Sequence, residues 1–97
     1  MADKYFLTDD AKSDIKNIWS FIARDNRRAA DKVIEEIKVL LQHIGENSHF
    51  GHRRVDLTSK DVRFVSVYSY LIVYNPNHSP VEIVRVLSGY RNITNMI

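Results

Sequence analysis

The apolar residues of this chain change their spacing once, and that change limits the fold more than any other feature. Between Ala11 and Ile44 they recur every three or four positions. From Val62 to Ser88 they crowd into short runs dense in β-branched and aromatic side chains. The first spacing lines one side of a helix; the second suits pleated strands. Helices grouped ahead of strands argue for an α+β domain, with one mostly antiparallel sheet and a helical hairpin on one of its faces.

The boundaries follow from local chemistry. "KYFL" (Lys4–Leu7) is a short strand candidate, and it ends at "TDD", where Thr8 can cap a helix and Asp9 and Asp10 suit the positive end of the helix dipole. Ala11, Ile15, Ile18, Trp19 and Ile22 then form an apolar stripe. "RDNRR" interrupts the pattern, with Asn26 within it as a second cap, and Ala30, Val33, Ile34, Ile37, Leu40, Leu41 and Ile44 form a second stripe, with Gly45 as the expected stop. Two amphipathic helices so closely joined predict an antiparallel hairpin. "GENSHFGHRRVDLTSKD" has no period and reads as a long loop, a kind of segment that often carries function. "VRFVSV" (Val62–Val67), "YLIVY" (Tyr70–Tyr74) and "VEIVRVLS" (Val81–Ser88) are strands, with "YS" and "NPNHSP" as hairpin breaks. The predicted order is β-α-α-β-β-β.

At 97 residues the chain is expected to be a single domain, 1–97, whose core needs most of its apolar side chains. It has no cysteine, which excludes disulfides, thiol chemistry and cysteine-based zinc sites. The N-terminus turns charged too early for a signal peptide, and no apolar run approaches membrane-spanning length. The expectation is a soluble cytoplasmic protein. Charge is uneven: residues 1–61 balance 11 basic with 11 acidic side chains, whereas residues 62–97 hold Arg63, Arg85 and Arg91 against Glu82 alone.

Arg85 is the residue a buried strand least needs, because an uncompensated buried charge is expensive. Strict alternation puts Val81, Ile83, Arg85 and Leu87 on one face of the last strand and Glu82, Val84, Val86 and Ser88 on the other. With Val84 and Val86 turned toward the helices, Arg85 lies on the uncovered face beside Ile83 and Leu87. Two roles compete there. An arginine among aliphatic residues on an open sheet suits a docking site. Alternatively, Arg85 pairs with Glu82 or a helix acid while its stem covers the sheet.

Taken together, the β-α-α-β-β-β order, "YFLTDDAKSDIKNIWSFI", "YLIVYNP" and "VEIVRVLSGYRNI" resemble the ParE branch of the RelE/ParE toxin superfamily of type II toxin–antitoxin modules. The similarity spans nearly the whole chain. Its most specific part is R-V-x-x-G-x-R, met by Arg85, Val86, Gly89 and Arg91. RelE-like members cleave messenger RNA on the ribosome, using cations to stabilise phosphate charge and groups that move protons. Those members carry an arginine after the first tyrosine of the middle strand, where this chain has Leu71 after Tyr70, and a tyrosine past the glycine-arginine turn, where it has Ile93, Thr94 and Asn95.

The departures favour the ParE side. That resemblance implies no catalysis and no cofactor, but a toxin that binds DNA gyrase and stabilises its cleaved-DNA state. It implies a cognate antitoxin that lays a segment along the open sheet face and the helical hairpin, giving a hetero-oligomer, with Ile83, Arg85, Leu87, Tyr90 and Arg91 as contacts to the antitoxin or to phosphate. The alternatives are a RelE-like mRNA endonuclease and a non-toxic relative that keeps only antitoxin binding.

Further candidates are weaker. Arg27 and Arg28 open the second helix against its dipole, as solvated surface or as a contact with gyrase or its bound DNA. Arg53 and Arg54, with His52 and Lys60, form a loose basic patch that Asp56 and Asp61 dilute. His49 and His52 lie in a loop with no carboxylate pair to complete a ligand set, so a metal site is not expected. Trp19, Tyr68, Tyr70 and Tyr74 read as core or sheet residues.

Overall fold

A computed structural model describes residues 4–88 of the chain. The order is β1 (Tyr5–Leu7), α1 (Asp9–Ala23), α2 (Arg27–Glu46), β2 (Arg63–Val67), β3 (Tyr70–Asn75) and β4 (Val81–Ser88). The strands form one sheet in the order β1-β4-β3-β2. β1 runs parallel to β4, and the other pairs are antiparallel. This is the α+β architecture expected from the grouped periods.

Local chemistry sets the helix ends. Thr8 caps α1, its hydroxyl accepting from the Ala11 N–H at 3.0 Å, with Asp9 and Asp10 in the first turn. Asn26 caps α2 by accepting from Ala29 N–H at 3.0 Å. The expected stop at Gly45 is passed: α2 continues to Glu46. Gly45 instead faces the residue before β1, since a Cβ there would lie 3.1 Å from the Lys4 backbone. No helix of the described residues is long and apolar enough to cross a membrane.

The helical hairpin covers one face of the sheet. Ala11, Ile18, Ile37, Leu41 and Ile44 from the helices pack against Val65, Ile72, Tyr74, Val81, Ile83 and Val86 from the strands. A second, smaller apolar cluster lies on the other face. Val62, Phe64, Leu71, Val73 and Leu87 form it, with Val84 and Leu57 of the long loop packed against them. That face was expected to be open, but Val73 is 0% and Leu71 2% exposed.

Alternation along β4 is broken where it matters most. Val73 faces Arg85 and the adjacent Tyr74 faces Ile83, so Val84 has no residue opposite it. The extra residue shifts the pattern by one. Ile83 therefore lies under the helices with Val86, while Leu87 belongs to the second cluster. The expected trio of Ile83, Arg85 and Leu87 on one uncovered face does not form, nor does the inward pair of Val84 and Val86.

Candidate functional site

β1 covers β4 only as far as Ile83, and the chain then turns into α1. The side chains of α1 and its N-cap take over the hydrogen bonding where the strand partner stops. The Thr8 hydroxyl donates to the Val84 carbonyl at 2.8 Å, and the Asp14 carboxylate accepts the Val86 N–H at 2.9 Å. In this way α1 blunts an edge that would otherwise offer itself to another strand.

Asp14 also holds Arg85. Nε of Arg85 donates to Oδ2 and Nη2 to Oδ1, both at 2.8 Å, in a bidentate pair. The side chains keep 20% and 13% of their surface exposed. Asp14 holds the guanidinium above its already high ordinary pKa, so the group is a permanent cation. The pairing with a helix acid that the sequence allowed is present in this geometry.

Beside this pair lies a cleft of about 370 Å³ between α1 and the end of β4. Asp14, Ile18, Phe21, Tyr70, Arg85 and Leu87 are among the residues lining it. Phe21 is 67% exposed at its rim. An apolar groove with one fixed ion pair suits an apolar segment that carries a polar group, in the manner of peptide recognition. Phe21 and Asp14 were not singled out by sequence. Asp14 did leave a signal: it stands three residues after Ala11 and four before Ile18, within the stripe that α1 buries. Ile83 is 0% exposed and lies outside this lining. Tyr90, Arg91 and Gly89 lie outside the described residues.

The remaining candidates separate into paired and unpaired cations. Arg54 makes a bidentate pair with Asp56 at 3.0 and 2.9 Å, and Arg53 is 3.8 Å from Asp61. The Arg54 guanidinium holds the Asp56 carboxyl below its usual range. Among the described residues, no ion pair involves Arg24, Arg27 or Arg28 at the hairpin tip. Trp19, expected among the core or sheet residues, is half-buried on α1 there. Its indole N–H donates to Asp31 at 2.8 Å, and the Arg27 guanidinium carbon lies 5.7 Å from its ring centre. His43 and His78 stack edge-on against Phe50 and Phe6. No group of three or more potential metal ligands gathers among the described residues.

The long loop is pinned by its own set of contacts. The hydroxyl of Tyr74, a fully buried residue, donates to the Ser48 carbonyl at 2.8 Å and accepts from the Gly51 N–H at 2.7 Å. Arg63 donates to the Gly51 carbonyl at 2.8 Å. Gly51 has no room for a side chain: a Cβ would lie 2.8 Å from the Tyr74 ring and 2.9 Å from the Phe64 carbonyl oxygen.

Three comparisons bear on this arrangement. A family model described as "ParE toxin of type II toxin-antitoxin system, parDE" matches residues 5–93. No curated protein matches the chain by sequence. Among solved structures, the fold is similar to a chain described as "Chromosomal ParDE TA system from P. aeruginosa", at 15% identity and a TM-score of 0.73. That similarity covers 88% of this chain and 94% of the other.

Proposed function

Since the chain belongs to the ParE toxin family of type II toxin–antitoxin systems, we propose that it arrests growth by binding DNA gyrase and holding it in its cleaved-DNA state. Its cognate antitoxin neutralises it by docking in the cleft between α1 and β4. The gyrase assignment is what the family resemblance implies. The pairing of Arg85 with Asp14 is the observation that most supports a non-catalytic reading.

Arg85 directs Nε and Nη2 at Asp14, each at 2.8 Å, so part of the donor set that a phosphate clamp would use is already engaged. Leu71, at the position where nuclease relatives carry an arginine, is 2% exposed in the second apolar cluster. Both observations weigh against the RelE-like endonuclease. They support a toxin that works by occupying a surface rather than by cutting RNA.

The antitoxin reading draws on the cleft itself. Phe21, Tyr70 and Leu87 offer apolar contact, and the partly exposed Arg85–Asp14 ion pair offers a polar one. This moves the docking surface from the sheet face to the groove beside it.

The direct test adds purified protein to a gyrase supercoiling reaction. Loss of supercoiling with accumulation of cleaved DNA is expected. Full supercoiling at large protein excess overturns the gyrase assignment. Unimpaired growth of a host expressing the chain alone would identify a non-toxic relative.

A further inference from the structure

Resting on the gyrase reading, we infer that Arg27 and Arg28, organised by Trp19 and Asp31, hold backbone phosphates of the DNA that gyrase has cut. The hairpin tip supports this in three ways.

First, these arginines stand where local stability does not want them. Both lie in the first turn of α2, which has no acidic residue to offset them. Positive charge there opposes the helix dipole. Asp25 is close in sequence and Asp31 is four residues after Arg27, yet neither forms an ion pair with either arginine among the described residues.

Second, Asp31 is occupied in another way. Its carboxylate accepts the Trp19 N–H at 2.8 Å, which fixes the indole. Arg27 lies over that ring, 5.7 Å from its centre. A guanidinium resting on an aromatic face loses freedom but keeps its in-plane donors. A cation held near the ring with its N–H donors unspent suits a phosphodiester. Trp19 and Asp31 are positioning residues, and the arginines make the contacts.

Third, the tip differs from the chain's other basic cluster. Arg53 and Arg54 each have an acid from their own loop, whereas Arg24, Arg27 and Arg28 are exposed and have none among the described residues. The unpaired cluster is the one able to displace counterions from DNA.

The experiment measures toxin binding to gyrase alone and to gyrase with DNA over a range of salt. The wild type is compared with Arg27→Ala/Arg28→Ala, Trp19→Leu and Trp19→Phe. The wild type should bind the DNA complex more tightly, with an advantage that fades as salt rises. The double variant should lose about tenfold of that affinity near physiological salt, and its salt slope should fall by about one for each arginine removed. Its binding to gyrase alone should be unchanged and its melting temperature equal or higher. Trp19→Leu should flatten the slope, and Trp19→Phe, which keeps a ring beneath Arg27, should largely restore it. A wild type that binds neither form removes the gyrase reading itself, and this inference with it. A wild type that binds both while the double variant keeps its salt slope overturns this inference alone. Equal weakening with and without DNA assigns the arginines to carboxylates of the gyrase protein and also overturns it.

Discussion

At the scale of single residues, two polar groups that bond to the sheet or from within it carry the most consequence. Asp14 satisfies Arg85 and the Val86 N–H together, so Asp14→Ala removes three hydrogen bonds at once. Breaking a fully buried pair costs roughly 3–5 kcal/mol. Arg85 keeps 20% of its side chain in solvent, so about 2–3 kcal/mol is expected here, read by urea unfolding. Asp14→Asn, which can still accept from Val86, should lose less. Combining Asp14→Ala with Arg85→Met should recover part of the loss, because the unmatched cation is gone. Tyr74 is the second group. Tyr74→Phe deprives the Gly51 N–H and the Ser48 carbonyl of a partner and should cost about 1–3 kcal/mol. Burial raises the Tyr74 phenol above its ordinary 10.0. A folded pKa above the unfolded one gives stability that is complete below the unfolded value and declines as pH rises past it. The gap between wild type and Tyr74→Phe should therefore be constant up to about pH 10 and narrow above it in urea titrations. Sequence could state that Arg85 needed an explanation, because a charge in an apolar strand is costly wherever it points. It could not choose Asp14 over the other helix acids, since that depends on how α1 lies along the edge of β4.

Among the elements, the helices were the most legible and β4 the least. The stripes of α1 and α2 and their caps at Thr8 and Asn26 follow from side-chain chemistry within a few residues, so sequence suffices for them. The faces of β4 depend on one unpaired residue, Val84, which nothing in "VEIVRVLS" marks. A bulge is set by what both neighbouring strands require, so alternation read along one strand misplaced Ile83. Gly45 shows the same limit: the glycine that reads as a helix stop serves close packing against Lys4, just ahead of β1, instead. The long loop has no period to read, yet it is seated on Tyr74 and Arg63 through Gly51. Gly51→Ala would force a Cβ against the Tyr74 ring and the Phe64 carbonyl and should cost about 1–3 kcal/mol through overpacking. Hydrogen exchange would localise that loss. The amides of His52 and Phe64, which bond each other's carbonyls at 3.0 and 2.8 Å, should open well before those of β3.

For the whole molecule, the fold joins the first and last of the described strands. β1 pairs with β4, Thr8 bonds both Ile83 and Val84, and Asp14 reaches Arg85 and Val86. The cleft therefore has walls from distant parts of the chain, and any ligand seated in it bridges α1 and β4. A partner that binds only the folded form stabilises it by mass action, by about 2.7 kcal/mol at a hundredfold excess over Kd. That is comparable to the loss expected from Asp14→Ala. Purified toxin should thus melt higher with its antitoxin than without it. The Asp14→Ala protein should be scarce when expressed alone and accumulate when the antitoxin is co-expressed. A substitution at the cleft rim that leaves the core intact, Phe21→Asp, should remove both effects while leaving the melting temperature of the free toxin nearly unchanged, since Phe21 is 67% exposed. If Phe21→Asp is still protected by the antitoxin as fully as the wild type, the neutralising contact lies on another face of the molecule. The cleft then has no part in it.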